Sequence, residues 1–366
     1  MKTKNVYLAL ILLSFISWSC STQDDLGQKT LKTSINSSVQ ELTTAMNVIS
    51  SSEGYKVLGI SNTESTASKV SGTWDFVIDS TMNSIVLADI AGVYDYKANY
   101  YKRGPQSVLR FFTKTADSSI MVVRLPEEKV KRPGSLTRFM PADTLLANNY
   151  VIALSDYQYN FNHYLGWDYK MASNINIKDI NVGDLKIQSS NSKEDGYKYA
   201  SEFVFADNYK AICNYAAGDT AVATYSISDG TKTLYEEKYT AIKSLTDRRH
   251  REREYSLTIG DVQIVRKPNF GKNTLDSAKV YVAGVLQVNA KVEIIDVEIT
   301  DETDNSIVNH KRDIQITFDD GTVTTISQLL GGSVDTIRTL FASLRQASFA
   351  TSVIDWIAWD IYKNKE

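Results

Sequence analysis

The hydrophobic positions of this chain change period twice. Leu31, Ile35, Val39, Leu42, Met46 and Ile49 recur at steps of four, four, three, four and three residues, which draws one apolar stripe along a helix of about 20 residues. So narrow a stripe predicts packing on a sheet or another helix rather than a membrane-surface helix, and Gly54 with the Ser/Thr-rich stretch from Ser61 to Ser68 ends it. From Gly72 to Ile326 a strand pattern takes over, with strands expected at Thr73 to Ile78, Ser84 to Ala88, Val108 to Thr113, Ile120 to Leu125 and Tyr150 to Phe161. About eight more follow up to Thr325. No long helical pattern separates them, so the sheet should be antiparallel. Beyond Gly331 and Gly332 the helical period returns. Ser333 is a candidate N-cap, Val334, Ile337, Phe341 and Leu344 form one set, and Val353, Ile357 and Ile361 with Trp356 and Trp359 form another. Arg338, Arg345, Asp355 and Asp360 interrupt this tail, which reads as a cap docked on the sheet and not as a spanning helix. The pattern predicts an α+β fold, a predominantly antiparallel β-sheet with an N-terminal amphipathic helix and a C-terminal helical cap.

Two hairpins are marked by Asp-Gly: Tyr225 to Ser228 leads into Asp229-Gly230, and Ile314 to Phe318 leads to Asp320-Gly321 before Val323. Asp-Gly supplies the positive φ angles of a tight two-residue turn. In Val292, Ile294, Ile295, Val297 and Ile299 the apolar alternation slips by one residue, which predicts a bulge or a change of sheet at Ile294-Ile295. The charged run Thr246 to Glu254 is the best place for a domain division, giving 31–245 and 246–366. Lys131 to Pro141 reads as a long surface loop.

The first 19 residues carry Lys2 and Lys4, an apolar run from Val6 to Ile16, and Ser17, Trp18 and Ser19 before Cys20. A basic start, a short apolar core and small residues before a processing point make a secretory signal, too short to span a membrane as a helix. With Cys20 at its end the segment resembles a bacterial lipoprotein signal, which implies cleavage after residue 19 and acylation of Cys20, with palmitate among the chains. A plain signal peptide followed by an incidental cysteine is the alternative. Ser21, Thr22, Gln23, Asp24 and Asp25 resemble the short acidic tether of Bacteroidota surface lipoproteins, which implies a tether over 20–30 and an outer-membrane protein facing the cell exterior, its partner being the lipid held through N-terminal acyl chains. Each buried methylene contributes roughly 0.8 kcal/mol, so several acyl chains suffice as an anchor.

Composition adds limits. Lys plus Arg number 40 against 43 Asp plus Glu, a net charge of −3; loss of 1–19 removes two lysines and no acid and so leaves −5. Such a balance gives no bulk attraction for nucleic acid. With Cys20 committed, Cys213 has no internal disulfide partner, and Tyr209 to Tyr215 holds no His or basic cluster to activate it, so a buried strand cysteine is expected. Gly72-Thr73-Trp74 resembles the opening of lipocalin-type barrels, a resemblance of three residues that implies at most a route to a ligand cavity.

Catalytic motifs are missing: no G-x-S-x-G elbow, no phosphate-cradling loop, no G-x-G-x-x-G and no H-E-x-x-H. His163, His250 and His310 lie too far apart for a local metal pair, and no cofactor is implied. Asp296, Glu298, Asp301, Glu302 and Asp304 form an oxygen-rich patch without EF-hand spacing, read as a solvated strand end rather than a calcium site. Arg248, Arg249, Arg251 and Arg253 could dock an anion or an acidic partner, though Glu252 and Glu254 dilute their field and favour a solvated loop or edge strand.

The aromatics are the most suggestive feature. Twelve of 21 tyrosines lie between Tyr150 and Tyr239, and Tyr157, Tyr159 and Phe161 share one strand face near Trp167 and Tyr169. Rings on a strand stack on sugars or form protein interfaces, but tyrosine is also simply a good strand residue. The leading expectation is a non-catalytic envelope lipoprotein that binds an extracellular ligand or a glycan or protein partner. A carboxylate-based glycan hydrolase and a structural subunit of an outer-membrane complex remain alternatives.

Overall fold

A computed structural model describes residues 30–56, 58, 83–97, 111–131, 144–162, 164–243, 251–267, 278–300, 308–345 and 348–363. Its strands are β1 (Asn83–Val86), β2 (Gly92–Tyr96), β3 (Phe112–Ala116), β4 (Met121–Leu125), β5 (Tyr150–Asn162), β6 (Gly166–Ile177), β7 (Ile180–Ser192), β8 (Gly196–Phe205), β9 (Lys210–Ala217), β10 (Thr220–Ser228), β11 (Thr233–Lys243), β12 (Arg251–Ile259), β13 (Val262–Arg266), β14 (Ala278–Val282), β15 (Val285–Leu286), β16 (Lys291–Thr300), β17 (Val308–Thr317) and β18 (Val323–Thr325). The helices are α1 (Leu31–Ser51), α2 (Leu87–Ile90), α3 (Glu127–Lys131), α4 (Ile326–Leu330), α5 (Ser333–Arg345) and α6 (Ser348–Lys363).

From β4 to β15 each strand pairs antiparallel with the next, an uninterrupted meander; β2 and β3 extend it past β4, and β1 adds to β5. The described sheet is antiparallel except at β2–β4, which run parallel. Strands β16, β17 and β18 make a second, small antiparallel sheet. The fold is thus mostly antiparallel β with a long N-terminal helix and C-terminal helices, in agreement with the pattern of the sequence.

Strand alternation gives the large sheet two unlike faces. One carries Ile152, Leu154, Met171, Ile175, Leu185, Ile187, Phe203, Ala211, Ile227, Leu257 and Ile264, all buried. The opposite face is polar, with ion pairs such as Lys170–Asp156 at 2.9 Å and Lys186–Glu202 at 3.1 Å, and an Asn174–Asp184 hydrogen bond at 2.8 Å. The helices cover the apolar face. α1 lies on β11, β12 and β13 and against α5, while α5 lies over β8 and β9. All six positions of the N-terminal stripe are buried. Close approach of α1 explains Gly260 in the β12–β13 turn: its φ is +54°, a Cβ there would overlap Ser38, and the Asp261 amide donates to Ser38 Oγ at 3.4 Å.

The registers of β5 to β13 align one row of residues across the apolar face: Tyr159, Tyr169, Ser189, Tyr199, Tyr215, Ala223, Tyr239, Tyr255 and Arg266. This tyrosine row borders the helix-covered core. Some of its hydroxyls reach helix groups, as where Tyr199 donates to the Leu344 carbonyl at the end of α5 at 3.3 Å.

Several expectations change. The Asp-Gly hairpins exist, but as longer loops. Only Gly230 and Gly321 take positive φ, and each aspartate acts through its side chain, accepting from the amide and hydroxyl of Thr231 or Thr322. The Lys232 amide, followed by the Thr231 hydroxyl and amide, holds the Asp229 carboxyl down at about 2. Two-residue turns with both residues at positive φ occur instead at Lys178-Asp179 and Ala283-Gly284. No bulge interrupts Ile294-Ile295: β16 pairs with β17 in unbroken register, because Ile294 and Ile295 both find partial cover on opposite faces. Leu87 and Ala88, expected at the end of a strand, begin α2. The strands flanking Thr246 to Glu254, β11 and β12, pair along nine positions from Tyr235–Ile259 to Lys243–Arg251, so this run joins neighbours in one sheet. The strand at Thr73, the lipocalin-like Gly72-Thr73-Trp74 and most of the loop Lys131 to Pro141 lie outside the described residues. Among the described residues no helix is long and apolar enough to cross a membrane.

Candidate functional site

The five aromatic candidates stand on β5 and β6, and α6 covers most of them. Tyr157 is 1% exposed. Its ring meets Tyr169 edge-on at 5.8 Å, Tyr159 stacks on Phe161 at 5.3 Å, and Trp359 of α6 packs on both Tyr159 and Phe161 at 5.8 and 5.0 Å. Asp355, one helical turn before Trp359, accepts hydrogen bonds from the Tyr157 hydroxyl at 3.0 Å and the Tyr169 hydroxyl at 3.2 Å. Burial pushes this carboxyl up to about 7 against the lowering effect of the two hydroxyls, and burial raises both phenols as well. Tyr362 adds a bond to Asn83 Oδ1 at 3.0 Å. The cluster fastens α6 to the sheet. Trp167 stands opposite Phe161 in the β5–β6 register, and its ring begins a tilted series with Tyr197 and Tyr215 at 6.1 and 5.8 Å whose two tyrosines are exposed.

The other candidates do not gather. Cys20, Arg248, Arg249, His163 and His250 lie outside the described residues. Arg251 and Arg253 belong to β12, in register with Lys243 and Ala241, and His310 belongs to β17 opposite Glu298. Cys213 is buried on β9. Asp296 lies on β16 opposite Arg312. Among the described residues no three His, Cys, Asp or Glu side chains converge as metal ligands.

A cleft opens elsewhere, where the large sheet, the small sheet and α4–α5 meet. It holds a cavity of about 290 Å³ bounded by Leu257, Ile264, Ala278, Val292, Ile294, Ile314, Ile326, Leu330 and Val334, with Tyr235, Glu237, Tyr255, Arg266, Asp313, Ser327 and Arg338 as its polar members. A second cavity of about 280 Å³ adjoins it along α5, sharing Tyr235, Glu237, Leu330, Val334 and Arg338 and adding Tyr225, Ile337, Phe341 and Ala342. Each is near the lower end of the roughly 300–1,000 Å³ common for small-molecule sites.

Strand alternation builds the polar end. Tyr235 and Glu237 are two apart on β11, and Leu257 on β12 stands opposite Glu237 with Tyr255 two positions away. Tyr255 Oη donates to Glu237 Oε1 at 3.2 Å, and the Glu237 charge adds to the rise that burial gives the Tyr235 phenol. Burial raises both phenols. The charge of Arg338 opposes that rise at Tyr235 and the charge of Arg266 opposes it at Tyr255, which places one guanidinium by each phenol. Arg338 also pairs with Asp335 at 3.0 Å. Asp313 is occupied differently: its Oδ1 accepts from the amides of Ile314 and Ser327 at 2.8 and 3.3 Å, tying β17 to the first turn of α4. The arrangement can hold a molecule with an apolar body and a polar end.

Tyr235, Glu237, Tyr255, Arg266 and Arg338 were not among the sequence candidates, although two signals point to them. Arg266 continues the phase of the buried Val262 and Ile264, and Arg338 sits one turn after Val334 at the exposed margin of its helix's apolar stripe. Charge in an apolar phase marks a place where the core opens. The chain matches no protein-family model, no curated protein sequence and no solved structure, so the function of the cleft is read from its own geometry.

Proposed function

We propose that this protein is a non-catalytic, lipid-anchored envelope protein that binds a small amphipathic ligand in the cleft between its two sheets and α4–α5. The observation that carries the reading is the cavity of about 290 Å³ with aliphatic walls and a charged, tyrosine-lined end. The hydrolase alternative is less well supported by the same cleft. Glu237 is engaged by the Tyr255 hydroxyl and Asp313 by backbone amides. The carboxyl held near neutrality, Asp355, belongs instead to the packed seam under α6. A general acid beside a water-accessible substrate is what that chemistry needs.

The anchor rests on Lys2, Lys4, the Val6 to Ile16 run and Cys20, and the outward orientation on Ser21 to Asp25. The test of binding uses the full-length protein in lipid nanodiscs with a neutral, photoreactive alkyl diazirine. Saturable labelling should map to residues 278–300 and 326–345 and fall when Ile294→Trp or Val334→Phe fills the cavity. Label spread evenly over the chain would overturn the cleft reading. Metabolic labelling with palmitate should vanish in Cys20→Ser, and protease treatment of intact cells should remove the protein; survival of the protein beside cleaved surface controls would overturn the outward orientation.

A further inference from the structure

Resting on Cys20 as the acylated anchor, we infer that residues 283–289, the β14–β15 turn with β15 and the chain after it, form a membrane-contact surface that seats this end of the protein on a zwitterionic bilayer. From Val280 to Ala290 the chain carries no charged residue, and Lys279 and Lys291 stand at its two ends. Val285, Leu286 and Val288 are 62, 42 and 80% exposed. β15 is an edge strand of the large sheet, a place where natural sheets commonly set charge. Its ladder is only two residues long, too short to recruit a further strand, so side chains are what this edge offers. Aliphatic groups between lysines suit an interface, because a lysine stem lies along lipid while its ammonium group reaches the head groups. Lys291 is paired with Glu293 at 2.7 Å, and Asp319 and Asp320 are exposed on the β17–β18 turn, so nothing at this end selects anionic lipid.

The start of α1 puts the anchor at this end. Lys32, in its first turn, pairs with Asp320 at 2.7 Å and lies over the Phe318 ring. Farther along α1, Ser38 Oγ accepts from the Asp261 amide, and the Asp261 carbonyl accepts from the Ala283 amide at 2.8 Å. Helix rise between Leu31 and Ser38 is about 10 Å, so the turn that opens β15 is close to where α1 begins. Residues 20–29 span at most about 36 Å, which holds this end near the lipid. The exposed Tyr164 and Leu165, between β5 and β6, lie nine strand spacings from β14 along the sheet, roughly 43 Å. The segment also joins Ala278 of β14 to Val292 of β16, two walls of the cleft, which brings the proposed binding site to the lipid side of the molecule.

The experiment places a thiol-reactive fluorophore on Asn289→Cys or, as the distant control, on Leu165→Cys, in the full-length protein carried by phosphatidylcholine nanodiscs. Cys213 is buried, and the parent without an added cysteine gives the labelling background. The quencher is a lipid spin-labelled just below its head group. Quenching at Asn289→Cys should be at least about threefold that at Leu165→Cys. Adding Leu286→Asp with Val288→Asp should bring it down to the control level while the protein still elutes with the discs. Both aspartates replace exposed side chains, so a melting temperature equal to the parent's separates lost contact from lost fold. Equal quenching at the two positions, or quenching that the aspartates leave intact, would overturn the seating and leave the anchor standing. Quenching at Asn289→Cys only in discs that carry two copies would assign this edge to a second copy and overturn the lipid contact. A parent protein that elutes apart from the discs would overturn the anchor and the seating together.

Discussion

The seam under α6 and the cleft under α5 use the same ingredients, two tyrosines beside one carboxylate on the apolar face of one sheet, and end in opposite states. Under α6 the carboxylate is Asp355 of the helix, so the bonds from Tyr157 and Tyr169 run between layers and pull them together; Trp359 fills the space beside them. Under α5 the carboxylate is Glu237, on the same sheet as Tyr235 and Tyr255. The Tyr255–Glu237 bond stays within one layer and does nothing to close the helix over it. The gap is bordered by Arg266 and Arg338, whose charged heads resist full burial. Whether such a triad closes or opens a fold depends on which layer supplies the carboxylate.

The sharpest way to break that comparison is to remove a wall from each side. Trp359→Ala, in close-packed surroundings, should destabilise the protein by about 3–5 kcal/mol, whereas Leu330→Ala, which already borders empty space, should fall at the low end of about 2–5 kcal/mol. Equal losses in urea unfolding would deny the difference in packing.

Next in size is the pH dependence. The native Asp355 carboxyl keeps its proton up to about pH 7, whereas an unfolded aspartate releases it near 4, so between those values the native state binds more protons. The contribution is therefore fully present below about pH 4, declines as pH rises through this window by on the order of 4 kcal/mol, and levels off above it. Asp355→Asn should flatten this slope and be the more stable form at pH 8. Parallel unfolding curves for parent and variant from pH 4.5 to 8 would contradict a buried, protonated seam.

Single hydroxyl deletions sharpen the contrast further. Tyr169→Phe removes one of the bonds that hold Asp355 and should cost about 1–2 kcal/mol, while Tyr255→Phe should cost less than about 1 kcal/mol because Glu237 keeps some contact with solvent. The smallest effect belongs to Arg338→Gln, whose exposed pair with Asp335 contributes within about 0.5 kcal/mol to folding. Thermal melts of variant and parent side by side check it.

Much of the framework was legible in the sequence. The N-terminal stripe needed only the spacing of six residues, and β5 and β6 could be read from alternation because neighbours two apart share a face whatever lies beyond the strand. Tyr157, Tyr159, Phe161, Trp167 and Tyr169 share one sheet face, but alternation does not tell what covers a face. Their cover arrives from Asp355 and Trp359, and the Tyr157–Asp355 bond spans 198 residues of chain. In the sequence Asp355 looked like a charge that merely interrupts the last apolar set. Local pattern also misjudged Asp229-Gly230 and Asp320-Gly321, where an aspartate side chain could accept the turn's amides as readily as its backbone could adopt positive φ.

The sequence by itself determined the kinds of elements and the inward side of the first helix and of the long strands. These are set by spacing along a few consecutive turns or pleats, which a chain carries whether folded or not. Tertiary structure alone decided that six tyrosines form one row, that Asp355 is sealed against two of them, and that a cavity remains beside Glu237, Arg266 and Arg338. Strand register joins residues far apart in the chain, and a void is the space that packed layers leave between them, so neither is a property of any one segment.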